Sequence, residues 1–202
     1  DEKEIETHNK EFLRNNRFWF AASTHRGEEQ LCLNTHIKLK EKFRNIVTVI
    51  APRHIERTRE IKSLCDNLNL NTQILNDKDS IQNNMDIIIV NSFGVLNNFY
   101  KYAKSVFIGK STLEKLKEVG GQNPIDAAKL GCKIYHGPYV YNFKEIYEIL
   151  EKKNISKKIN NFGELSHNLI NDLEVNEKRN NISEFIEDLS QKTFLETMKN
   201  ID

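Results

Sequence analysis

The sequence contains few residues that cross-link or interrupt a chain. Its 202 residues include three cysteines, three prolines and eight glycines. Cys32, Cys65 and Cys132 lie far apart, form no CxxC pair and fall in segments with helical or strand patterns. This excludes a small secreted disulfide framework and favours a reducing compartment. A chain of this length can bury a sizeable core without disulfides.

The chain also lacks an excess of charge of either sign. Lysine and arginine total 30, and aspartate and glutamate total 29. Without a global basic field, a nucleic-acid partner is not expected. No apolar run approaches the ~20 residues that cross a bilayer, and the polar start DEKEIETHNK does not resemble a signal peptide. We therefore expect a soluble chain in which local clusters of residues bind any anion.

Cofactor and metal motifs are absent from the sequence as well. No GxGxxG follows the first predicted strand and no GxxxxGK[ST] occurs, so neither dinucleotide nor P-loop binding is indicated. His25, Glu28, Glu29 and His36 do not have the spacing of zinc ligands. His36 falls on the apolar face of a predicted helix, where a packed histidine is expected. No Ser-His-Asp or Cys-His arrangement can be assigned.

What the sequence does contain is an alternation of apolar runs and amphipathic segments. Apolar runs at residues 18–22, 46–50, 72–75, 86–90, 106–108 and 133–135 predict strands. Residues 28–43, 55–68, 96–103 and 124–130 are predicted as helices between strands, and helices are predicted for the remainder. Apolar strands joined through helices favour an α/β fold, a Rossmann-like doubly wound parallel sheet covered on both faces.

The pattern divides the chain into three parts. Residues 1–16 are charged and are interpreted as a linker or helix that continues from a preceding domain. Residues 17–173 form the α/β domain. Residues 174–202, with apolar residues at helical spacing, are predicted as a C-terminal helical extension packed on a surface.

Four polar loops are the candidate binding site: residues 23–29, 52–54, 92–94 and 120–124. In a doubly wound sheet the ligand crevice lies beyond the carboxyl ends of the strands, where these loops are expected. Three of the four lead into helices, whose free N–H groups and dipole attract phosphate or carboxylate. Arg53, placed directly after a buried strand by a rigid turn, suits bidentate phosphate binding.

Each loop also has a purely structural interpretation, which the sequence leaves open. Residues 24–29 could form only an N-cap with acidic residues in the first turn of a helix. Arg53 could be a solvated arginine, Gly94 could serve only a tight turn, and residues 120–121 could only relieve backbone strain. Asn123 is a common N-cap residue when proline follows, as Pro124 does, although a capped helix start is compatible with ligand contact.

Six motifs occur in order between residues 18 and 172: AASTHRGEE (21–29), APRHIER (51–57), NSFGVL (91–96), FIGKS (107–111), GGQNPID (120–126) and HGPYVYNF (136–143). Together they resemble the C-terminal domain of Kdo transferases, which are glycosyltransferases of the GT-B architecture acting on 3-deoxy-octulosonic acid (Kdo). The resemblance implies that residues 17–173 are the nucleotide-sugar (CMP-Kdo) binding domain of such an enzyme, its C-terminal half.

The resemblance also implies which residues contact the donor. Those expected to contact CMP are Pro52, Arg53, Phe93, Gly94, Val95, Asn123, Pro124, Ile125 and Asp126. Contacts with the donor sugar or phosphate are expected from Ser23, Thr24, Gly27, Ser111 and Gly121.

The sequence departs from the family pattern at five positions of these motifs. An acidic residue is usual at Asn91, Glu at Val95, Gly at Lys110, His at Gln122 and Glu at Asp126. Contacts made through the backbone should survive these changes better than contacts made through side chains.

The implied function is donor binding within an inverting glycosyltransferase that transfers Kdo from CMP-Kdo to a lipid A precursor, without metal or cofactor. The family's catalytic base is a glutamate in an N-terminal acceptor domain, so no catalytic residue and no activity are expected of this chain alone. The full-length protein is expected at the cytoplasmic face of the bacterial inner membrane. Two alternatives stay open: a non-catalytic nucleotide-sugar-binding module and another GT-B enzyme that uses a UDP-sugar.

Overall fold

The computed structural model describes residues 3–175 of the chain. Within them the strands are β1 (Phe18–Thr24), β2 (Val47–Pro52), β3 (Thr72–Leu75), β4 (Ile87–Val90), β5 (Ser105–Ile108), β6 (Lys133–His136) and β7 (Ser156–Lys158). The helices are α1 (Thr7–Asn15), α2 (Glu28–Lys40), α3 (Thr58–Asn67), α4 (Leu96–Tyr102), α5 (Ile125–Lys129), α6 (Lys144–Lys152) and α7 (Phe162–Glu174).

The strands form one parallel sheet in the order β3-β4-β2-β1-β5-β6-β7. β1 lies in the middle, with Phe20 opposite Val49 of β2 on one side and opposite Val106 of β5 on the other. The chain builds the β2 side first and then returns to build the β5 side. Such a reversal between neighbouring strands is a topological switch point, and it opens a crevice at their carboxyl ends.

Helices cover both faces of the sheet because successive strand residues point to opposite faces. Phe20 and Ala22 of β1 pack in one core with Phe99 of α4 and Tyr147 of α6. The other core takes Trp19 of β1, together with side chains of α2, α3 and α7. Both faces of each central strand are therefore buried, which explains the continuous apolar runs in the sequence.

The predicted α/β class and doubly wound parallel sheet are confirmed. β1 and β2 are each longer than predicted at their carboxyl ends, so Pro52, expected in a loop, is the last residue of β2. β7 was not predicted, because helices were expected throughout this part of the chain. Its Lys157 and Lys158 are exposed on the edge of the sheet, where lysines are common and the apolar signal of a buried strand is absent.

The N-terminal residues, interpreted from the sequence as a linker or helix, pack on the α/β domain. Residues 3–16 pack onto the same core as the sheet through Ile5, Phe12 and Leu13. The Asn9 side chain accepts a hydrogen bond from the backbone of Ile81 at 2.8 Å. The proposed C-terminal extension lies outside the described residues, apart from its first two. Between residues 3 and 175, no helix is long and apolar enough to span a membrane.

Candidate functional site

The predicted loops lie together at the carboxyl edge of the sheet. Because β4, β2, β1 and β5 are neighbours and parallel, the segments that follow them line one edge. The backbone N–H of Arg53, after β2, donates to the carbonyl of Thr24, at the end of β1, at 3.0 Å. The N–H of Gly121 donates to the carbonyl of Lys110, after β5, at 2.7 Å. The first bond joins the ends of β1 and β2, and the second closes the polar part of the connection between β5 and β6.

A buried carboxylate, Glu28, ties the loop after β1 to the loop after β5. It accepts hydrogen bonds from the backbone N–H groups of Lys110, Ser111 and Thr112 at 2.7, 2.9 and 3.0 Å. It also accepts from the Thr112 hydroxyl and from the N–H of His25, both at 2.9 Å. Successive N–H groups of this kind form a cradle for an anion. Here the protein's own carboxylate occupies the cradle.

A second buried carboxylate, Glu29, joins α2 to the segment after β2. Arg57 donates two hydrogen bonds to it, at 2.8 and 3.2 Å, and the Thr24 hydroxyl donates a third at 2.9 Å. Burial acts to lower the pKa of Arg57, but its bonds to Glu29 and Glu60 outweigh burial and raise that pKa. Arg57 and Glu29 thus form a largely buried ion pair with two hydrogen bonds, which holds the start of α2 against the segment after β2.

Several residues predicted to contact the donor form hydrogen bonds within the protein. Thr24 and Ser111 are fully buried, and their hydroxyls donate to Glu29 and to the carbonyl of Ile108, so neither side chain is available to a ligand. The N–H of Gly121 is likewise engaged within the protein.

The start of α2 is bonded internally as well. Glu29 accepts from the N–H of Gly27 at 3.2 Å, and the two carboxylates of the first turn already supply negative charge there. Glu28 and Glu29 do lie in the first turn of α2, as the structural interpretation of residues 24–29 expected, but the N-cap is Gly27 and the two carboxylates are buried.

The Arg53 side chain is exposed to solvent, whereas the Arg57 side chain is largely buried and paired with Glu29. Arg53 directly follows β2, and the next residue, His54, is exposed too. The rings of His25 and His54 lie 5.8 Å apart, edge to face. Burial lowers the pKa of His25. The Ser23 carbonyl and Glu28 act to raise this pKa, and the charges of His54 and Lys110 act to lower it further. His25 is therefore a neutral hydrogen-bonding group near pH 7.

The loop after β4 presents Phe93 and Gly94 to solvent. Phe93 is 60 % exposed, which is unusual for a phenylalanine. Gly94 has a φ of 74°, a conformation that favours glycine. Val95 is buried in the core, so only its backbone can meet a ligand. The N–H of Lys3 donates to the Gly94 carbonyl at 3.0 Å, so the N-terminal segment supports this turn from one side.

The segment 120–126 combines a structural part with an exposed part. A Cβ at Gly120 would lie 2.3 Å from the Tyr139 carbonyl, so close backbone approach requires glycine there. Pro124 and Ile125 are buried, whereas Asn123 and Asp126 are exposed. The Asn123 side chain accepts from the N–H of Ile125 at 3.0 Å, although the N-cap of α5 is Pro124 and not Asn123.

No cluster of three metal-binding side chains occurs within residues 3–175. His36, considered for metal binding by its residue type, is a packed histidine. It is fully buried, and its Nδ1 lies 2.8 Å from the Thr48 hydroxyl. Burial lowers the pKa of His36 to about 4. The charge of Asp86 acts to raise this pKa, and the charge of Lys40 acts to lower it further.

No protein-family model matches the chain. Among characterised proteins it is similar to 3-deoxy-D-manno-octulosonic acid transferase of Rickettsia prowazekii, with 30% identity over 186 residues, covering 89% of this chain and 39% of that protein. The enzyme of the same name from Haemophilus influenzae is 29% identical over 132 residues, covering 65% of this chain and 30% of that protein. The chain thus spans less than half the length of these relatives.

Among solved structures, the C-terminal CMP-Kdo binding domain of WaaA from Acinetobacter baumannii has a TM-score of 0.73 and 26% identity, covering 90% of this chain and 89% of that one. The chain is homologous to Kdo transferases, over their C-terminal domain. The C-terminal domain of a group 1 glycosyltransferase from Francisella tularensis, with a TM-score of 0.57 and 11% identity, shares the fold. The fold is accordingly that of the C-terminal domain of GT-B glycosyltransferases.

Sequence reasoning missed the roles of Glu28, Glu29 and Arg57. The two acids were noted only as residues of a first turn, and Arg57 only as part of a motif. One signal was available: two adjacent carboxylates that directly follow a post-strand glycine, with arginines in the next post-strand segment. Which arginine would pair inward could not be read from spacing.

Proposed function

We propose that this chain is the donor-binding domain of an inverting glycosyltransferase that transfers Kdo from CMP-Kdo to a lipid A precursor. The observation that carries the proposal is the similarity to the CMP-Kdo binding domain of WaaA, which extends over nine-tenths of both chains. The relatives named as Kdo transferases support the same activity for the whole protein.

The exposed groups of the carboxyl edge suit the chemistry of a cytidine nucleotide. Arg53 is an exposed guanidinium next to the switch point, and it would bind the phosphate through two parallel hydrogen bonds. Phe93 offers an aromatic face on which the cytosine base would stack. Gly94, Asn123 and Asp126 are exposed as well: the backbone of the Gly94 turn would contact the same ligand, and Asn123 and Asp126 would contact ribose or base edges.

Positive charge at the crevice favours a site that needs no metal. Glu28 and Glu29 are buried and bonded within the protein, so neither forms an ion pair with Arg53 that would compete with a phosphate. Arginine and polar backbone groups would balance the phosphate charge. The absence of a metal requirement stays a prediction.

Catalysis requires groups beyond this domain. In the proposed reaction a carboxylate of an N-terminal acceptor domain deprotonates the sugar hydroxyl of the lipid acceptor, which attacks the anomeric carbon of Kdo as CMP leaves. We expect this chain alone to transfer no Kdo. The whole protein would act at the cytoplasmic face of the inner membrane, where its lipid acceptor lies.

Isothermal titration calorimetry with CMP, UDP and cytidine tests the proposal. CMP should bind more tightly than UDP, because the base contacts are proposed for cytosine, and more tightly than cytidine, because Arg53 binds phosphate. Tighter binding of UDP would instead indicate a GT-B enzyme that uses a UDP-sugar.

A transfer assay with CMP-Kdo and a lipid A precursor tests the division of labour. The 202-residue chain should release no CMP above background, whereas the same domain joined to a Kdo-transferase acceptor domain should. Transfer by the chain alone would contradict the proposed location of the base, and a fusion that binds donor but never transfers would favour a non-catalytic binding module.

A further inference from the structure

Two residues at the switch point have a backbone conformation that is unusual for their residue types. Within residues 3–175, the residues other than glycine that have a positive φ are Ser23, Asn69, Asn84, Lys110 and Asn154. Asparagine tolerates this conformation, but serine and lysine adopt it far less often. Ser23, with a φ of 55°, lies in β1, and Lys110, with a φ of 58°, closely follows β5. Strained residues of this kind persist at ligand sites when their surroundings fix them.

Neighbouring groups fix the backbone of Lys110 on both sides. Its N–H donates to Glu28 at 2.7 Å, and its carbonyl accepts from Gly121 at 2.7 Å. The preceding residue, Gly109, is pressed against the end of β1: a Cβ there would lie 2.5 Å from the Ser23 carbonyl. These contacts hold the backbone of Lys110 in its positive-φ conformation. A glycine at position 110 would adopt the same conformation without strain.

The Lys110 side chain brings positive charge to the crevice. The same oxygen of Glu28 accepts from the N–H of His25 at 2.9 Å and from the N–H of Lys110 at 2.7 Å, so the two residues are neighbours, and Lys110 is partly exposed there. The two acids of this region are committed elsewhere, Glu28 to backbone N–H groups and Glu29 to Arg57. Among the described residues, no carboxylate forms an ion pair with the Lys110 ammonium group.

We propose that Lys110 is a donor-binding residue, whose ammonium group binds an oxyanion of the nucleotide sugar beside His25. This inference rests on the proposed function and extends it to a position where the family pattern has glycine. The oxyanion is either the phosphate of CMP or the carboxylate of the sugar. Lysine binds both as a point charge without fixed geometry.

Two substitutions separate charge from strain. Lys110→Gln removes the charge and keeps a side chain in the strained conformation, whereas Lys110→Gly removes both. Both variants should lose donor affinity by about five- to tenfold, as expected for a charge-assisted contact in a partly exposed site. Lys110→Gly alone should also raise the melting temperature by about 2–4 °C. Lys117→Gln, which removes an exposed lysine from the same connection, should change neither.

Calorimetry with three ligands identifies the oxyanion. If Lys110 binds phosphate, both variants bind CMP more weakly while cytidine binding is unchanged. If it binds the sugar carboxylate, CMP binding is unchanged and only CMP-Kdo binds more weakly. Either result supports the proposal. Unchanged affinity for all three ligands in Lys110→Gln would overturn it and leave a strained loop residue without a binding role.

A measurement that uses neither CMP nor CMP-Kdo keeps the inference separate from the proposed function. If the unmodified chain binds neither CMP nor CMP-Kdo, the proposed function fails, and thermal unfolding in inorganic phosphate then decides the role of Lys110. Phosphate should stabilise the unmodified chain relative to sodium chloride of equal ionic strength, and should stabilise Lys110→Gln less. Equal stabilisation of both would contradict an anion site at Lys110.

Discussion

The two sides of the carboxyl edge are built differently. On the β1–β5 side, two buried carboxylates satisfy the N–H groups and hydroxyls of the loops, and the backbone is strained. On the β2–β4 side, Arg53 and Phe93 are exposed. The comparison indicates that polar residues of one motif can serve opposite purposes: Arg57 stabilises the loops, and Arg53, four residues earlier, is free to bind a ligand.

The difference separates two kinds of expected mutational effect. Changes on the β1–β5 side below the crevice should reduce the free energy of unfolding, because they leave buried polar groups without partners. Changes of the exposed side chains on the β2–β4 side, Arg53 and Phe93, should reduce affinity and leave stability nearly intact, unlike a change of Arg57, which follows β2 but pairs with the buried Glu29.

Glu28→Ala should have the largest effect. It leaves three backbone N–H groups after β5 and the N–H of His25 without their acceptor, so the free energy of unfolding should fall by about 4 kcal/mol or more. Urea unfolding followed by circular dichroism measures this. Glu56→Gln, at an exposed carboxylate on the next loop, is the control and should be nearly neutral. A loss below 1 kcal/mol would mean that water replaces the carboxylate easily.

Arg57→Met should have the next largest effect. It leaves the Glu29 carboxylate buried with only the Thr24 hydroxyl and the Gly27 N–H, at a cost of about 3 kcal/mol. Adding Glu29→Leu should restore part of the loss, because the unpaired charge is then removed. A double variant that is less stable than Arg57→Met would show that the glutamate bonds to Thr24 and Gly27 matter more than the ion pair.

Arg53→Ala should leave the unfolding free energy unchanged within about 0.5 kcal/mol and weaken CMP binding by roughly ten- to a hundredfold. Arg53→Lys should recover part of the affinity, since a point charge cannot reproduce two parallel bonds. Cytidine is the control ligand, and its affinity should hardly change. Equal losses for CMP and cytidine would indicate that Arg53 shapes the loop.

Phe93→Ala should have the smallest effect. Because the side chain is 60 % exposed, its removal should not destabilise the fold, but loss of stacking should weaken CMP binding by roughly five- to tenfold. Here cytidine and CMP should lose affinity equally, the reverse of the Arg53 result. Phe93→Tyr should preserve binding. An unchanged CMP affinity in Phe93→Ala would assign the exposed ring to contact with another part of the full-length protein.

Several parts of the fold were predictable because periodicity alone indicates them. Buried parallel strands such as β2 and β4 are continuous apolar runs, and the helices between them repeat every three to four residues. β7 was not predictable in this way, since two of its three residues are exposed lysines. The ends of β1 and β2 were missed because polar Thr24 and the proline Pro52 are read as loop residues, although both lie in the sheet.

The sequence by itself determined the sheet, the order of the loops and the presence of basic and acidic residues in them, because these depend on periodicity and residue type. Only the tertiary structure decided which charges pair. Glu28 reaches N–H groups more than 80 residues away, and Arg57 rather than Arg53 turns toward Glu29. Local spacing carries no information on such contacts, because they depend on how β1, β2 and β5 meet at one edge.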